Sequence, residues 1–140
     1  MRYWDSSALV PLLFEESQTA KMVAVLKEDP GIVTWWGSPV ECYSALWRRR
    51  RTEQLDDPYF YEMVKRYERL EADLDVVPPV NLVRDGAKRL LRFHPLRAGD
   101  ALQLAAAHFW CDNQPKNVAF VTLDGVLSSA ARAEGFTVLP

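Results

Sequence analysis

The chain opens with Arg2-Tyr3-Trp4-Asp5-Ser6-Ser7-Ala8-Leu9-Val10, and this stretch decides the fold class. Its first residues predict a short strand. The Asp-Ser-Ser that follows is helix-capping chemistry, with Ser6 and Ser7 as the expected caps, and a first helix should run from there to Leu13. The same change from strand to helix around an acid recurs at Phe120-Val121-Thr122-Leu123-Asp124-Gly125. A strand that leads directly into a helix is the repeating unit of a parallel α/β sheet.

Outward from this stretch, strand-like and helix-like segments alternate along the chain. We expect strands over residues 2–4, 32–34, 74–77, 118–122 and 137–139. We expect further helices over residues 19–28, 39–51 with Ser38 as the cap, 58–73, 81–93, 100–110 and 126–134. Helices between strands imply parallel pairing with right-handed crossovers. The prediction is therefore a three-layer α/β/α domain with a mainly parallel central sheet.

The length and composition fit one globular domain over residues 1–140. Apolar residues make up 49% of the chain and charged residues 26%, which is an ordinary balance with no compositional sign of disorder. The chain has 17 basic and 19 acidic side chains, so its formal charge is −2. A nucleic-acid partner would therefore have to be bound by a local basic patch, because the net charge does not attract it.

The cysteines and the apolar runs bear on the location of the protein. Cys42 and Cys111 lack the CxxC spacing of a zinc or redox motif, and neither forms a metal-binding pattern with His94 or His108. No apolar run is long enough to span a bilayer, and the acid at position 5 leaves no room for a secretory signal. We expect a soluble, unprocessed cytoplasmic protein without membrane contact.

Four carboxylates stand where a strand gives way to a helix or where a helix begins: Asp5, Glu41, Asp100 and Asp124. Taken singly, each has a structural explanation, because an acid at a helix start caps free N–H groups and favours the positive end of the dipole. Taken together they are unusual, because an open parallel sheet brings its strand ends into one crevice. Two carboxylates about 5 Å apart repel by roughly 3 kcal/mol at an effective dielectric constant of about 20. We therefore expect a divalent cation among them.

Four strings of residues occur in an order that is more specific than any of them alone. They are Tyr3-Trp4-Asp5-Ser6-Ser7-Ala8-Leu9, Ser38-Pro39-Val40-Glu41, Asp100-Ala101-Leu102-Gln103-Leu104-Ala105-Ala106-Ala107, and Val121-Thr122-Leu123-Asp124 with Ala130-Ala131 and Gly135. In this order, over nearly the whole chain, they resemble the PIN domain, and especially the VapC ribonuclease toxins of bacterial and archaeal toxin-antitoxin pairs. The resemblance implies a PIN-like fold.

The resemblance also implies a function and a set of site residues. A protein of this kind is a Mg2+- or Mn2+-dependent endoribonuclease, in which a metal-bound water held by clustered carboxylates hydrolyses RNA phosphodiester bonds. The catalytic, metal-binding acids would be Asp5, Glu41, Asp100 and Asp124. The supporting polar residues would be Ser7 and Thr122. The implied partners are an RNA substrate, a cognate antitoxin protein and a second copy of the chain in a homodimer; one bound ion and two are both compatible with these residues.

RNA needs cationic contacts beside an acidic crevice, and two basic stretches supply candidates. The expected RNA-binding residues are Arg48, Arg49, Arg84 and Lys88. The alternative is a solvated helix face whose basic end suits the dipole. Trp35 and Trp36, after the second strand, are candidates for base stacking, with burial as the alternative. Leu12, Leu13 and Phe14 are candidates for an apolar partner surface.

Other functions compete with the nuclease. A haloacid-dehalogenase-type phosphatase needs a second aspartate two residues after the first, where this chain has Ser7. A ribonuclease-H-like enzyme would carry its first acids on a long antiparallel hairpin, of which residues 1–13 give no sign. A non-catalytic RNA- or protein-binding module, in which the acids only cap helices, stays open. So does a housekeeping RNA-processing nuclease.

Overall fold

The computed structural model describes the whole chain, residues 1–140. The strands are β1 (Arg2–Trp4), β2 (Ile32–Trp35), β3 (Leu74–Val77), β4 (Ala119–Val121) and β5 (Thr137–Leu139). The helices are α1 (Ser6–Leu9), α2 (Thr19–Glu28), α3 (Ser38–Glu53), α4 (Asp57–Ala72), α5 (Asn81–Leu90), α6 (Ala98–Trp110) and α7 (Gly125–Ala133), and a short 3-10 helix, Val10–Leu12, continues α1. None of these helices combines the length and the apolar content needed to cross a bilayer.

The five strands form one all-parallel sheet in the order β3-β2-β1-β4-β5. Tyr3 of the central strand pairs with Val33 of β2 on one side and with Phe120 of β4 on the other. The strand order therefore reverses between β1 and β4. In an open parallel sheet, the carboxyl ends of the strands at such a switch point border a crevice, because the adjoining crossovers leave on opposite faces.

Helices cover both faces of the sheet, which confirms the predicted three-layer α/β/α fold. Side chains alternate along β1, so Tyr3 and Trp4 enter different hydrophobic cores. The Tyr3 core is completed by α5, α6 and α7. The Trp4 core is completed by α1, α2, α3 and α4. The acids at the end of β1 are thus held between two packed layers.

Two predicted helices are shorter than expected, and proline explains the first case. The first was expected to reach Leu13, but regular α-helix ends at Leu9, and the following turn around Pro11 is a 3-10 helix closed by Leu13 N–H to Val10 O. Proline has no N–H for the α-helical ladder, which favours the tighter turn. The fifth helix was expected to reach residue 93 and ends at Leu90, after which the chain continues in tighter turns, with the Arg92 N–H bonded to Arg89 O and the Phe93 N–H to Leu90 O.

The capping residues differ from the prediction at two helices. Asp5 itself caps α1 and accepts the backbone N–H of Ser7, so the expected serine caps are wrong. Helix α3 begins at Ser38, with Gly37 in the capping position and no side-chain cap. Ser38 is fully buried and contacts Thr34 and Gln103 instead. In both places a hydroxyl predicted to serve its own helix serves a more distant partner.

The apolar surface lies on different helices from those expected. Leu13 and Phe14 are buried in the Trp4 core, so the predicted partner surface around them is wrong. Their burial follows from the 3-10 turn, which folds the segment back onto the core. Exposed large apolar side chains occur instead on α3 and α4, where Tyr43, Trp47, Tyr59 and Tyr61 reach solvent.

Candidate active site

A cleft of about 840 Å³ opens at the carboxyl edge of the sheet, where the crossovers separate. Glu41 of α3 and Asp100 of α6 line it from two sides, and Ser6 and Ser7 line it from the start of α1. Asp5 lies at the end of β1 and is only 3% exposed. The fold thus brings the predicted acids, from distant parts of the chain, to one edge of the sheet, where Glu41 and Asp100 line the cleft itself.

Asp5 is held firmly by one of its two oxygens. Its Oδ2 accepts the Ser7 N–H at 3.2 Å, the Ser7 hydroxyl, and the Thr122 hydroxyl at 3.0 Å. Its Oδ1 has only the Ser6 hydroxyl, at 3.4 Å. The carboxylate is therefore oriented by Oδ2, and Oδ1 keeps most of its capacity to accept a hydrogen bond or to bind a cation.

Ser7 and Thr122 tie the two strand ends together, as supporting residues should. The Ser7 Oγ lies 3.2 Å from the Thr122 Oγ1 and accepts the Leu123 N–H at 2.9 Å. Strands β1 and β4 are neighbours in the sheet, so these contacts close the switch point directly above their last paired residues. Their predicted position beside Asp5 agrees with the structure.

Asp124 has a structural task of its own. It caps α7 through a hydrogen bond of 2.7 Å from the Leu127 N–H to its Oδ1. Its charge still acts on Asp100, whose pKa it helps to raise. Asp124 is therefore a helix cap at the margin of the acidic group, and it does not line the cleft.

None of the three acids nearest the cleft forms a salt bridge, although the charge of Arg97, which also lines the cleft, partly offsets the rise in the pKa of Asp100. Burial raises the pKa of Asp5, against the hydrogen bonds from Ser7 and Thr122. Burial also raises the pKa of Glu41, and the charges of Asp5 and Asp100 add to that rise. The pKa of Asp100 is raised by burial, then by the charges of Asp124 and Asp5. Glu41 and Asp100 are thus harder to ionise because of burial and of their acidic neighbours, and Asp5 because of burial alone.

The donor set and its spacing give different answers about a metal ion. Carboxylate and hydroxyl oxygens without histidine are the ligands that Mg2+ and Mn2+ prefer. The nearest thiol, Cys42, is unsuitable because burial raises its pKa to about 12. However, no group of three acids, histidines or cysteines stands close enough in the structure to hold one ion. These residues offer suitable ligand atoms at one edge of the sheet. Their carboxylates would have to move closer together to bind a single ion.

The predicted RNA-binding residues fall into different environments. Arg48 is exposed and lines the cleft together with Glu41, two turns earlier on α3. Arg49 is engaged elsewhere: its guanidinium bonds Glu16 at 2.9 Å and Glu53 at 3.1 Å and covers the Phe14 ring at 4.2 Å. Arg84 borders a separate cavity of about 290 Å³ beside Trp35, and Lys88 is exposed one turn further along α5. Arg49 therefore stabilises the fold, and its contact with RNA stays a prediction.

Several cleft residues were missed or underrated in the sequence. Trp36 is 56% exposed and lines the cleft, whereas Trp35 is buried, so the burial alternative is wrong for Trp36 and right for Trp35. Arg97 also lines the cleft, just before α6. Gln103 is buried on α6, and its Nε2 lies 3.2 Å from Glu41 Oε2. Its only sequence signal is that it is polar within a run of alanine and leucine.

Comparison with known proteins bears on the fold alone. No protein-family model matches the chain, and no curated protein matches it either. Among solved structures, the chain is similar to the crystal structure of PAE2754 from Pyrobaculum aerophilum. The TM-score is 0.64 at 20% sequence identity, and the match covers 99% of this chain and 89% of that one. The likeness extends over the whole α/β/α architecture.

Proposed function

We propose that the protein is a Mg2+- or Mn2+-dependent endoribonuclease of the PIN-like, VapC type. The observation that carries the proposal is a group of buried and partly buried carboxylates without a salt-bridge partner, at the switch point of a parallel sheet. Burying charge without a partner is costly, so an arrangement of this kind favours a cation from outside. The sequence resemblance assigns the same acids to a metal site, which supports the proposal from a second direction.

In this proposal Asp5, Glu41 and Asp100 hold the ion, and Asp124 adds negative charge at the margin. When bound, the ion supplies Lewis-acid catalysis of phosphodiester hydrolysis. Asp5 is the most firmly held of the three, because its Oδ2 accepts three hydrogen bonds. Its Oδ1 remains available to the ion. Ser7 and Thr122 serve the site by maintaining that orientation.

The cleft also offers a path for the RNA. Arg48 and Arg97 carry the positive charge nearest the acids, and phosphates bound by them would lie over the carboxylates. Trp36 presents an aromatic face on which a base can stack. Arg84 and Lys88 would extend the path along α5. Since the net charge of the chain is negative, this local patch has to provide the affinity.

From the sequence resemblance we further propose that the protein is a cytoplasmic toxin, that it has a cognate antitoxin and that it forms a homodimer. The exposed aromatic residues of α3 and α4 are the apolar surface available for such contacts. Light scattering on the purified chain tests the dimer. A short DNA-binding protein encoded in the neighbouring reading frame would support the toxin, and its absence would favour a housekeeping nuclease.

The decisive experiment combines ion binding with RNA cleavage. Calorimetric titration of the purified chain with Mn2+ should show binding, which Asp5→Asn abolishes and Asp85→Asn leaves unchanged. Asp85 is a matched control, because it is an exposed acid on α5 outside the cleft. A labelled structured RNA should be cut only with Mg2+ or Mn2+, leaving 5′-phosphate and 3′-hydroxyl ends. Cleavage that survives excess EDTA would overturn the proposal, and indifference to Mn2+ would favour the non-catalytic binding module.

A further inference from the structure

A buried chain of hydrogen bonds runs beneath the acidic cleft and ends on Glu41. Tyr3, Thr34, Ser38 and Gln103 form it, from β1, β2, α3 and α6, and none is more than 1% exposed. The Tyr3 hydroxyl is 2.9 Å from Gln103 Oε1. The Gln103 Nε2 is 2.9 Å from Ser38 Oγ and 3.2 Å from Glu41 Oε2.

The direction of every hydrogen bond in this chain follows from its two ends. Thr34 Oγ1 is 2.7 Å from both the Trp4 carbonyl and Ser38 Oγ, and its single proton must go to the carbonyl, which only accepts. Ser38 therefore donates to Thr34 and accepts from Gln103. At the other end Tyr3 donates to the Gln103 carbonyl oxygen. Both constraints place the amide NH2 of Gln103 toward Ser38 and Glu41.

We infer that Gln103 is a positioning residue for the candidate metal site, because its second N–H fixes the Glu41 carboxylate through Oε2. One N–H is used by Ser38, and the other has Glu41 as its partner. This contact leaves Glu41 Oε1 as the oxygen without a bond to Gln103. The inference rests on the proposed function, since it assigns Gln103 a role only if Glu41 binds an ion.

Burying the four polar side chains of this network costs free energy. Four buried polar side chains in a hydrophobic core are unfavourable unless each is satisfied, and a half-satisfied network is worse than an apolar one. Packing alone would be served by an apolar residue at position 103, as at its neighbours Leu102 and Leu104. What the network adds is a single orientation of the amide, and that orientation acts on the one member that reaches the cleft, Glu41.

The test measures Mn2+ affinity by calorimetry at one pH, with the melting temperature as the check on folding. Gln103→Met keeps the length of the side chain and removes both donors, and it should raise the Kd for Mn2+ by about 10- to 100-fold, as loss of a partner of a metal ligand does. Thr34→Val is the matched control. It breaks the same network at a member that does not touch Glu41, so it should lower the melting temperature and leave the Kd within about 2-fold of wild type.

A third variant keeps the test decisive if Gln103→Met does not fold. Tyr3→Phe removes only the hydroxyl that orients the amide, and its Kd should rise above that of Thr34→Val. Equal Mn2+ affinity in wild type, Gln103→Met and Tyr3→Phe would overturn the role of Gln103 and leave the proposed function standing. A wild-type chain that binds no Mn2+ would overturn the proposed function itself, and the role of Gln103 with it.

Discussion

Carboxylates at two places in this protein have pKa values that shift in opposite directions. At the cleft, Asp5, Glu41 and Asp100 have no salt-bridge partner, and the pKa of each is raised. At the junction of α5, α6 and α7, Glu134 is surrounded by nitrogen donors. Its Oε1 is 2.7 Å from His94 Nε2, and its Oε2 is 3.2 Å from His108 Nε2 and 3.4 Å from Arg89.

The pKa of Glu134 shows what compensation does. Burial alone would raise it, but hydrogen bonds from His94 and Arg89 and the nearby positive charges outweigh burial and lower it. Burial lowers the pKa of His108 against the charge of Glu134, so the imidazole is neutral near pH 7. His108 Nε2 is close to Glu134 but off the hydrogen-bond direction, and neither ring nitrogen has a partner. Arg89 is thus the main cation of this group.

This comparison separates Glu134, a structural acid, from the acids at the cleft, which are proposed to be functional. The fold surrounds Glu134 with nitrogen donors that balance its charge. At the cleft, no salt bridge balances the charge of the acids. Uncompensated acids reduce stability in the absence of a ligand, which is a common cost of a binding site. The comparison therefore predicts that the two groups respond differently to mutation, to Mn2+ and to pH.

The largest difference is expected in RNA cleavage. Asp100→Asn should reduce cleavage by at least about 100-fold, because the ion it helps to hold contributes several kcal/mol to transition-state stabilisation. Glu134→Gln changes the same kind of group, and should leave the cleavage rate of the folded protein within about 3-fold of wild type. Single-turnover cleavage of one labelled RNA measures both. Equal losses in the two variants would remove the distinction between the groups.

The second difference is in stability, where the order of the variants is reversed. Glu134→Gln should lower the free energy of unfolding by about 1–3 kcal/mol, because it removes the charge that satisfies buried nitrogen donors. Asp100→Asn should leave the chain folded and slightly more stable without metal, because it relieves repulsion in the cleft. Urea unfolding in EDTA measures both values. A marked loss of stability in Asp100→Asn would show instead that Asp100 is a structural residue at the start of α6.

The smallest effect is the pH dependence of stability. The folded-state pKa of His108 is lowered, so its contribution is complete above the usual histidine pKa of about 6.5 and is lost as pH falls. The folded-state pKa values of Asp5, Glu41 and Asp100 are raised, so without metal their unfavourable contribution is relieved as pH falls through them. As pH falls below about 6.5, the two groups therefore oppose each other.

Saturating Mn2+ separates these contributions. Ion binding favours the ionised acids, so their protonation then costs binding energy and stability falls with pH at both groups. Melting temperatures from pH 7 to pH 5 should fall more steeply with Mn2+ than with EDTA. Parallel curves would contradict the assignment of the acids to a cation site.

Much of the fold could be predicted because its signals are local. The segment Thr19–Glu28 is helical and Leu74–Val77 is a strand, as their composition and spacing indicate. The predictions that were wrong concern competition between nearby and distant partners. Ser38 was expected to cap its own helix and instead joins a buried network with Gln103, 65 residues away. Arg49, which stays a predicted RNA-binding residue, bonds Glu16, a contact that its own neighbours in the sequence do not indicate.

The sequence by itself determined the alternation of strands and helices, the parallel sheet and the presence of acids at the strand ends. These features depend on side-chain spacing and capping groups within a few residues of one another. The compensation of each carboxylate depends on the tertiary structure, since Glu134 meets the nitrogen donors of Arg89 and His94, while Asp5 meets only hydroxyls and the Ser7 N–H. The tertiary structure also decided that Gln103 meets Tyr3, 100 residues earlier in the chain. The charge state and orientation of a buried group depend on every neighbour that folding brings to it, and those neighbours are distant in sequence.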